Sequence, residues 1–196
     1  MSKDMSKDMS KDLSKDLSKD LTKDSENKKT SPHTADRLYH PFGPLYSDRS
    51  KVLILGSFPS VKSRAQNFFY GHPQNRFWKV ISAVLDRPVP LDIPEKRELI
   101  LSEGLALWDS IASCEITGSS DSSIRNAQPN DIGMILREAP IEKIFCNGRK
   151  SYELYVKYIE KETGREAVLL PSTSPANAQW SLERLIDEWS VIRKYL

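Results

Sequence analysis

The run KVLILG, Lys51 to Gly56, constrains the fold more than any other stretch. Four consecutive apolar residues, Val52, Leu53, Ile54 and Leu55, empty into a Gly-Ser-Phe-Pro turn. A short continuous apolar run suits a strand buried on both faces of a parallel sheet, whereas a half-exposed strand alternates. Leu105 to Ile111, Ile141 to Cys146 and Glu166 to Leu170 read as three more strands. Helical patterns separate them. From Pro73 to Leu85 a proline suits the first turn, and Phe77, Trp78, Ile81, Val84 and Leu85 recur at helical spacing. Pro94 to Glu103 is stopped by Gly104, Asn130 or Asp131 caps a short helix to Glu138, and Lys150 to Glu162 ends at Gly164. A last helix, Gln179 to Tyr195, buries Leu182, Leu185, Ile186, Trp189 and Ile192. Leu38 to Ser50 reads as an extended lead-in, and Ser113 to Ala127 as a polar connection without periodicity. Strands alternating with helices pair in parallel through right-handed crossovers. The expected fold is an α/β three-layer sandwich, helices on both faces of a central four-stranded parallel sheet, within residues 37–196.

Residues 1–24 are six tetrapeptides of the form Met/Leu-Ser/Thr-Lys-Asp, and residues 25–36 are polar. One apolar residue in four buries too little surface to offset the entropy of ordering, so residues 1–36 are expected to be a disordered tail and linker. The repeat has no continuous apolar segment like that of a signal peptide, and nothing in the chain is long enough to span a bilayer. The tail carries equal numbers of Lys and Asp, which leaves the net charge of +2 on residues 37–196. That balance permits nucleic-acid binding without arguing for it. Cys114 and Cys146 lie far apart in apolar surroundings, as reduced cytoplasmic thiols do, and no ligand spacing for a metal is present. No metal or cofactor is expected.

In open α/β sheets, ligands bind at the carboxyl ends of strands. The first strand supplies Ser57, Phe58 and Ser60 there, followed by an aromatic loop with Phe68, Phe69 and Tyr70 and then His72 and Asn75. The second supplies Trp108, Asp109 and Ser110, the third Asn147, the fourth Ser172, Thr173, Ser174 and Asn177. Amides, hydroxyls and aromatics dominate, with Asp109 the main carboxylate. No Walker loop, GxGxxG or HExxH is present, and GSFPS is not a GxSxG nucleophile elbow. Such a set suits the reading of a flat polar ring between aromatic faces.

From Val52 to Tyr195 the chain resembles the uracil-DNA glycosylase superfamily. VLILGSFPS stands where that family has its first motif, Gly-x-Asp/Asn-Pro. YGHPQNRFW resembles the HPxNRFW run of the mismatch-specific branch, and LPSTSPANAQWSLERL lies where the second motif precedes the final helix. Taken together, GSFPS, HPQNRFW and LPSTSPANA are most similar to the hypoxanthine-DNA (deoxyinosine) glycosylases. Two departures stand out: Phe58 occupies the position of the water-activating Asp or Asn of uracil-removing relatives, and Ser172 that of the second-motif His. The hypoxanthine branch is thought to use the Asn of its HPxN run, here Asn75.

The resemblance implies a monofunctional, monomeric DNA glycosylase acting on double-stranded DNA with a damaged base, without a membrane partner. Asn75 is the expected catalytic residue, positioning a water or hydrogen-bonding the leaving base. Tyr70 is expected to stack on the flipped base, with Asp109 and the backbone of Ser57 and Phe58 binding its polar edge. Ser60, Ser172, Ser174 and Asn177 are the expected DNA-binding residues. Uracil or mismatched thymine as the substrate, and a catalytically silent nucleic-acid-binding module, are the competing readings.

Overall fold

The computed structural model describes residues 37–116 and 123–196. The repeat tail and linker, and residues 117–122 of the expected polar connection, lie outside the described residues. The four apolar runs form one sheet. Its strands are β2 (Val52–Gly56), β3 (Leu105–Asp109), β6 (Lys143–Asn147) and β7 (Ala167–Leu170), in the order β3-β2-β6-β7. All three pairings are parallel, with Ile54 opposite both Leu107 and Phe145. β2 and β3 are buried along their whole length, as runs without alternation require.

The chain steps from β2 to β3 on one side and returns to β6 on the other. A crevice therefore opens between the carboxyl ends of β2 and β6, where the direction of winding reverses. The outer layers are α1 (Val61–Gln66), α2 (Phe77–Leu85), α3 (Ile93–Ser102), α4 (Ile132–Glu138), α5 (Arg149–Tyr158), α6 (Glu160–Thr163) and α7 (Leu182–Trp189), with a 3-10 helix at Ser190–Tyr195. Side-chain caps start several of them: Asp92 accepts from Glu95 N–H, Asp131 from Met134 N–H and Ser181 from Arg184 N–H. Gly104, at φ +71°, follows α3 in the left-handed conformation that the sequence suggests.

The structure adds a second sheet. β1 (Arg37–Tyr39), β4 (Ile111–Glu115) and β5 (Arg125–Pro129) pair antiparallel in the order β1-β4-β5. The lead-in and the polar connection thus contain strands. They escape a periodicity reading because β1 has only three residues and β5, RNAQP, is mostly exposed. The β3 run also stops at Asp109, and after Ser110 the chain enters the new sheet. Helix α1 is an addition as well, a six-residue segment capped by Ser60.

The expected start of α2 is displaced. Pro73 lies in an exposed turn and the helix begins at Phe77, so Asn75 precedes it. The Asn75 carboxamide oxygen accepts Phe77 N–H at 3.0 Å, and Arg76 N–H goes to the Thr173 carbonyl instead of to a helical turn. The last helix likewise begins at Leu182, not Gln179, and tightens after Trp189.

Phe77 and Trp189 lock α2 to α7. Both are fully buried, their rings meet edge to face at 5.8 Å, and Tyr70 stacks on Phe77 at 3.8 Å. Phe77→Ala is expected to cost about 3–5 kcal/mol of unfolding free energy, read by urea titration, because it empties a fully buried ring position between two helices.

Candidate active site

A cavity of about 370 Å³ occupies the crevice at the ends of β2 and β6, within the size range of small-molecule sites. Its wall takes Gly56 to Ser60 from the first turn, Tyr70 and Asn75 from the following loop, Asp109 from β3, Asn147 from β6 and Ser172 to Ser174 after β7.

Asn75 is pinned through its oxygen. Oδ1 accepts Phe77 N–H at 3.0 Å and the Thr173 hydroxyl at 2.9 Å. Thr173, itself fully buried, accepts the Asn147 amide at its hydroxyl and donates its backbone N–H to Asn147 Oδ1, each at 2.9 Å. This chain fixes which end of each amide is oxygen. The Asn75 group left for the cavity is the Nδ2 donor.

Arg76 holds the far wall. Its backbone N–H and Nε both address the Thr173 carbonyl. Nη2 donates to the carbonyls of Ser174 at 2.9 Å and Asn177 at 3.0 Å, and Nη1 to that of Trp180. A planar guanidinium with five N–H groups gathers these diverging carbonyls, which a lysine ammonium lacks the geometry to do.

Asp109 stands on the opposite side. Its Oδ2 lies 2.8 Å from His40 Nε2, both side chains being nearly inaccessible. His40 Nδ1 accepts the N–H of Phe42, so the ring proton sits on Nε2 and points at the carboxylate. A Cβ at Gly56 would come 2.1 Å from Asp109 Oδ1 and 3.8 Å from the Tyr70 hydroxyl, so the missing side chain is what makes room there. The Tyr70 hydroxyl is buried without a hydrogen-bond partner among the described residues. Burial first, and then the Asp109 carboxylate, push this phenol well above its ordinary range, so it stays protonated. Burial likewise pushes the Cys146 thiol up to about 12, which removes it as a nucleophile at neutral pH.

Ser57, Phe58, Ser60, Tyr70, Asn75, Asp109, Ser172 and Ser174 thus meet around one cavity. Within that group the roles differ from the simplest reading. The Phe58 ring packs mainly into an apolar cluster with Ile111, Ile124 and Leu154, while the Ser57 and Phe58 N–H groups find no backbone partner among the described residues. Ser60 caps α1, and Ser172 and Ser174 accept N–H groups of their own loop. Asn177 is turned away from the cavity, its amide donating to the Ser172 carbonyl at 2.9 Å. Tyr70 has one ring face covered by Phe77.

His40 and Arg76 have no counterpart in the sequence reading. His40 lies in a lead-in with no motif. Arg76 sits inside the NRFW run, where its adjacency to Asn75 was the available signal. Asn147 and Thr173 are legible as polar strand-end residues, without their link to Asn75.

Thr173→Val is expected to lower activity about 10-fold to 100-fold while leaving the fold intact. It removes a donor from Asn75 and leaves the Asn147 amide short of an acceptor, at about 1–3 kcal/mol. Single-turnover rates together with thermal melting check it.

The profile of the family described as the uracil DNA glycosylase superfamily matches residues 44–193. A hypoxanthine DNA glycosylase of Methanosarcina acetivorans is 30% identical over 156 residues, spanning 79% of this chain and 97% of that protein. One from Methanosarcina barkeri is 28% identical over 151 residues, 76% of this chain and 94% of the relative. A solution NMR structure from M. acetivorans, described as a candidate uracil DNA glycosylase, superposes with a TM-score of 0.68 at 29% identity, covering 79% of this chain and 96% of its own. With the profile running from the lead-in to the final helix, this chain belongs to the uracil DNA glycosylase superfamily and is a DNA glycosylase.

Proposed function

We propose that the protein removes hypoxanthine from deoxyinosine in double-stranded DNA, leaving an abasic site. The observation that carries this is Asn75, which lines the cavity with its oxygen doubly occupied, so that Nδ2 is the polar atom it has left to offer. The two hypoxanthine DNA glycosylases matched over most of their length support the choice of base.

Breaking an N-glycosidic bond builds positive charge on the sugar and negative charge on the departing base. A target inside a duplex must first be swung out, at a cost of a few kcal/mol, and a deaminated purine in a weak pair lowers that cost. The cavity then takes the base, with the free face of Tyr70 covering one side and the Ser57 and Phe58 N–H groups available to a carbonyl. Asn75 Nδ2 donates to the base as charge grows on it, a preorganised dipole that needs no reorientation. With both Oδ1 acceptor directions in use, Asn75 holds a water only by donating to it. Phe58 supplies no acceptor either. The chemistry therefore leans on stabilising the leaving base more than on activating the nucleophile. Ser60, Ser172 and Ser174 line the cavity and would meet the flanking phosphates on this reading.

Asn75→Ala is expected to reduce excision of hypoxanthine about 10²–10³-fold, the cost of one such donor. Asn75→Asp, which exchanges the donor for a charge, should be no better. Single-turnover cleavage of deoxyinosine duplexes after alkali treatment, beside uracil, xanthine and G·T duplexes, measures both the loss and the base range. Wild-type rates in Asn75→Ala would overturn the assignment.

Residues 37–196 are proposed to suffice. Deletion of residues 1–36 should leave the deoxyinosine cleavage rate unchanged within about twofold in the same assay.

A further inference from the structure

Resting on that reading and deepening it, we propose that Asp109, set by His40, is the acceptor that recognises a ring N–H beside a carbonyl in the extrahelical base. A lactam edge, not an amino-substituted one, is then what the cavity admits.

The geometry of the carboxylate carries the argument. Oδ2 is committed to His40 at 2.8 Å, whereas Oδ1 has no hydrogen-bond partner among the described residues and lies over Gly56 on the cavity wall. A carboxylate oxygen has lone pairs and no proton to give. His40 is itself fixed, with Phe42 N–H on Nδ1 and the edge of the Phe42 ring at 4.5 Å. The residue is therefore built to hold a bare acceptor still at the floor of a site for a flat polar ring. A buried acceptor left without a donor costs about 1–3 kcal/mol, which makes its pairing a basis for choice.

Hypoxanthine presents N1–H next to the C6 carbonyl. Adenine presents the reverse polarity, a bare N1 beside an amino group. Oδ1 meets the hypoxanthine proton and repels the adenine lone pair. Guanine shares the lactam edge, but its three-bond pair with cytosine raises the cost of extrusion before the site is reached. The carboxylate also opposes build-up of negative charge, so it favours a base that keeps its ring proton as it departs, with Asn75 Nδ2 donating from elsewhere on the ring.

His40 acts here as a positioning residue, and it makes the test directional. In Asp109→Asn, the His40 Nε2–H selects the amide oxygen, which turns the amide NH₂ toward the cavity. Binding is measured by anisotropy with duplexes whose target sugar carries a 2′-fluoroarabino group to block cleavage. The target base is hypoxanthine, adenine or unsubstituted purine, and melting curves confirm folding. The wild type is expected to favour hypoxanthine over both others by at least about tenfold, and Asp109→Asn to bring that ratio to one or below. His40→Leu should erode the preference, while His40→Gln, which keeps an N–H at similar reach, restores it.

An unchanged ratio in Asp109→Asn overturns the proposal, and so does a fall in its cleavage rate with preference intact, which would assign Asp109 to the water. A His40→Leu protein with wild-type preference removes His40 from the role. If Asp109→Asn does not fold, the pair of His40 variants decides. A wild type that cleaves no deoxyinosine duplex refutes the proposed function instead, and the binding ratios still report on the acceptor.

Discussion

The Arg76 guanidinium is the interaction on which the site depends. One side chain collects the carbonyls of Thr173, Ser174, Asn177 and Trp180 while its own backbone N–H adds a second bond to Thr173. Without it, the segment after β7 would carry several inward carbonyls near an apolar core, each in need of a donor. The clamp lies next to Asn75 in sequence, so one turn of chain both presents the amide and fastens the wall that pins it. Thr173 closes the circuit, bonded to Asn75 on one side and Asn147 on the other. The loop after β7 and the turn that carries Asn75 are a single mechanical unit.

Much of the layered architecture was legible. Four apolar runs of strand length, bounded by Gly, Asn and Pro, allow few alternatives to a buried parallel sheet, and that sheet is what forms. The second sheet was not, because its strands gain stability chiefly from pairing with one another, and the short β1 and exposed β5 show neither period. The boundary at Asn75 was missed for a different reason. Pro73 is as compatible with a turn as with a helix start, and the contest is decided by the Asn75 side chain capping Phe77 and by the Thr173 hydroxyl, 98 residues away in sequence, that donates to it.

The site residues divide along the same line. Polar groups at strand ends are where the topology predicts, since strand direction alone places them. Which of them face the ligand depends on loop hydrogen bonds that residue type does not reveal: Asn177 serves the Ser172 carbonyl, and Ser60 serves a helix absent from the pattern. Phe58 shows the compensating side of this. Its ring belongs to the apolar cluster in which β4 and β5 meet α5, so this turn residue helps to seat the antiparallel sheet against the domain.

The small antiparallel sheet brings His40 to Asp109 across 69 residues of chain. β1 begins at Arg37, so the segment that delivers the histidine enters the domain ahead of every strand of the main sheet. A proteolytic cut near residue 40 would therefore free the Asp109 carboxylate from its partner, whereas the carboxyl-terminal turn is tied into the core through Ile192 and through the Tyr195 ring on Phe145.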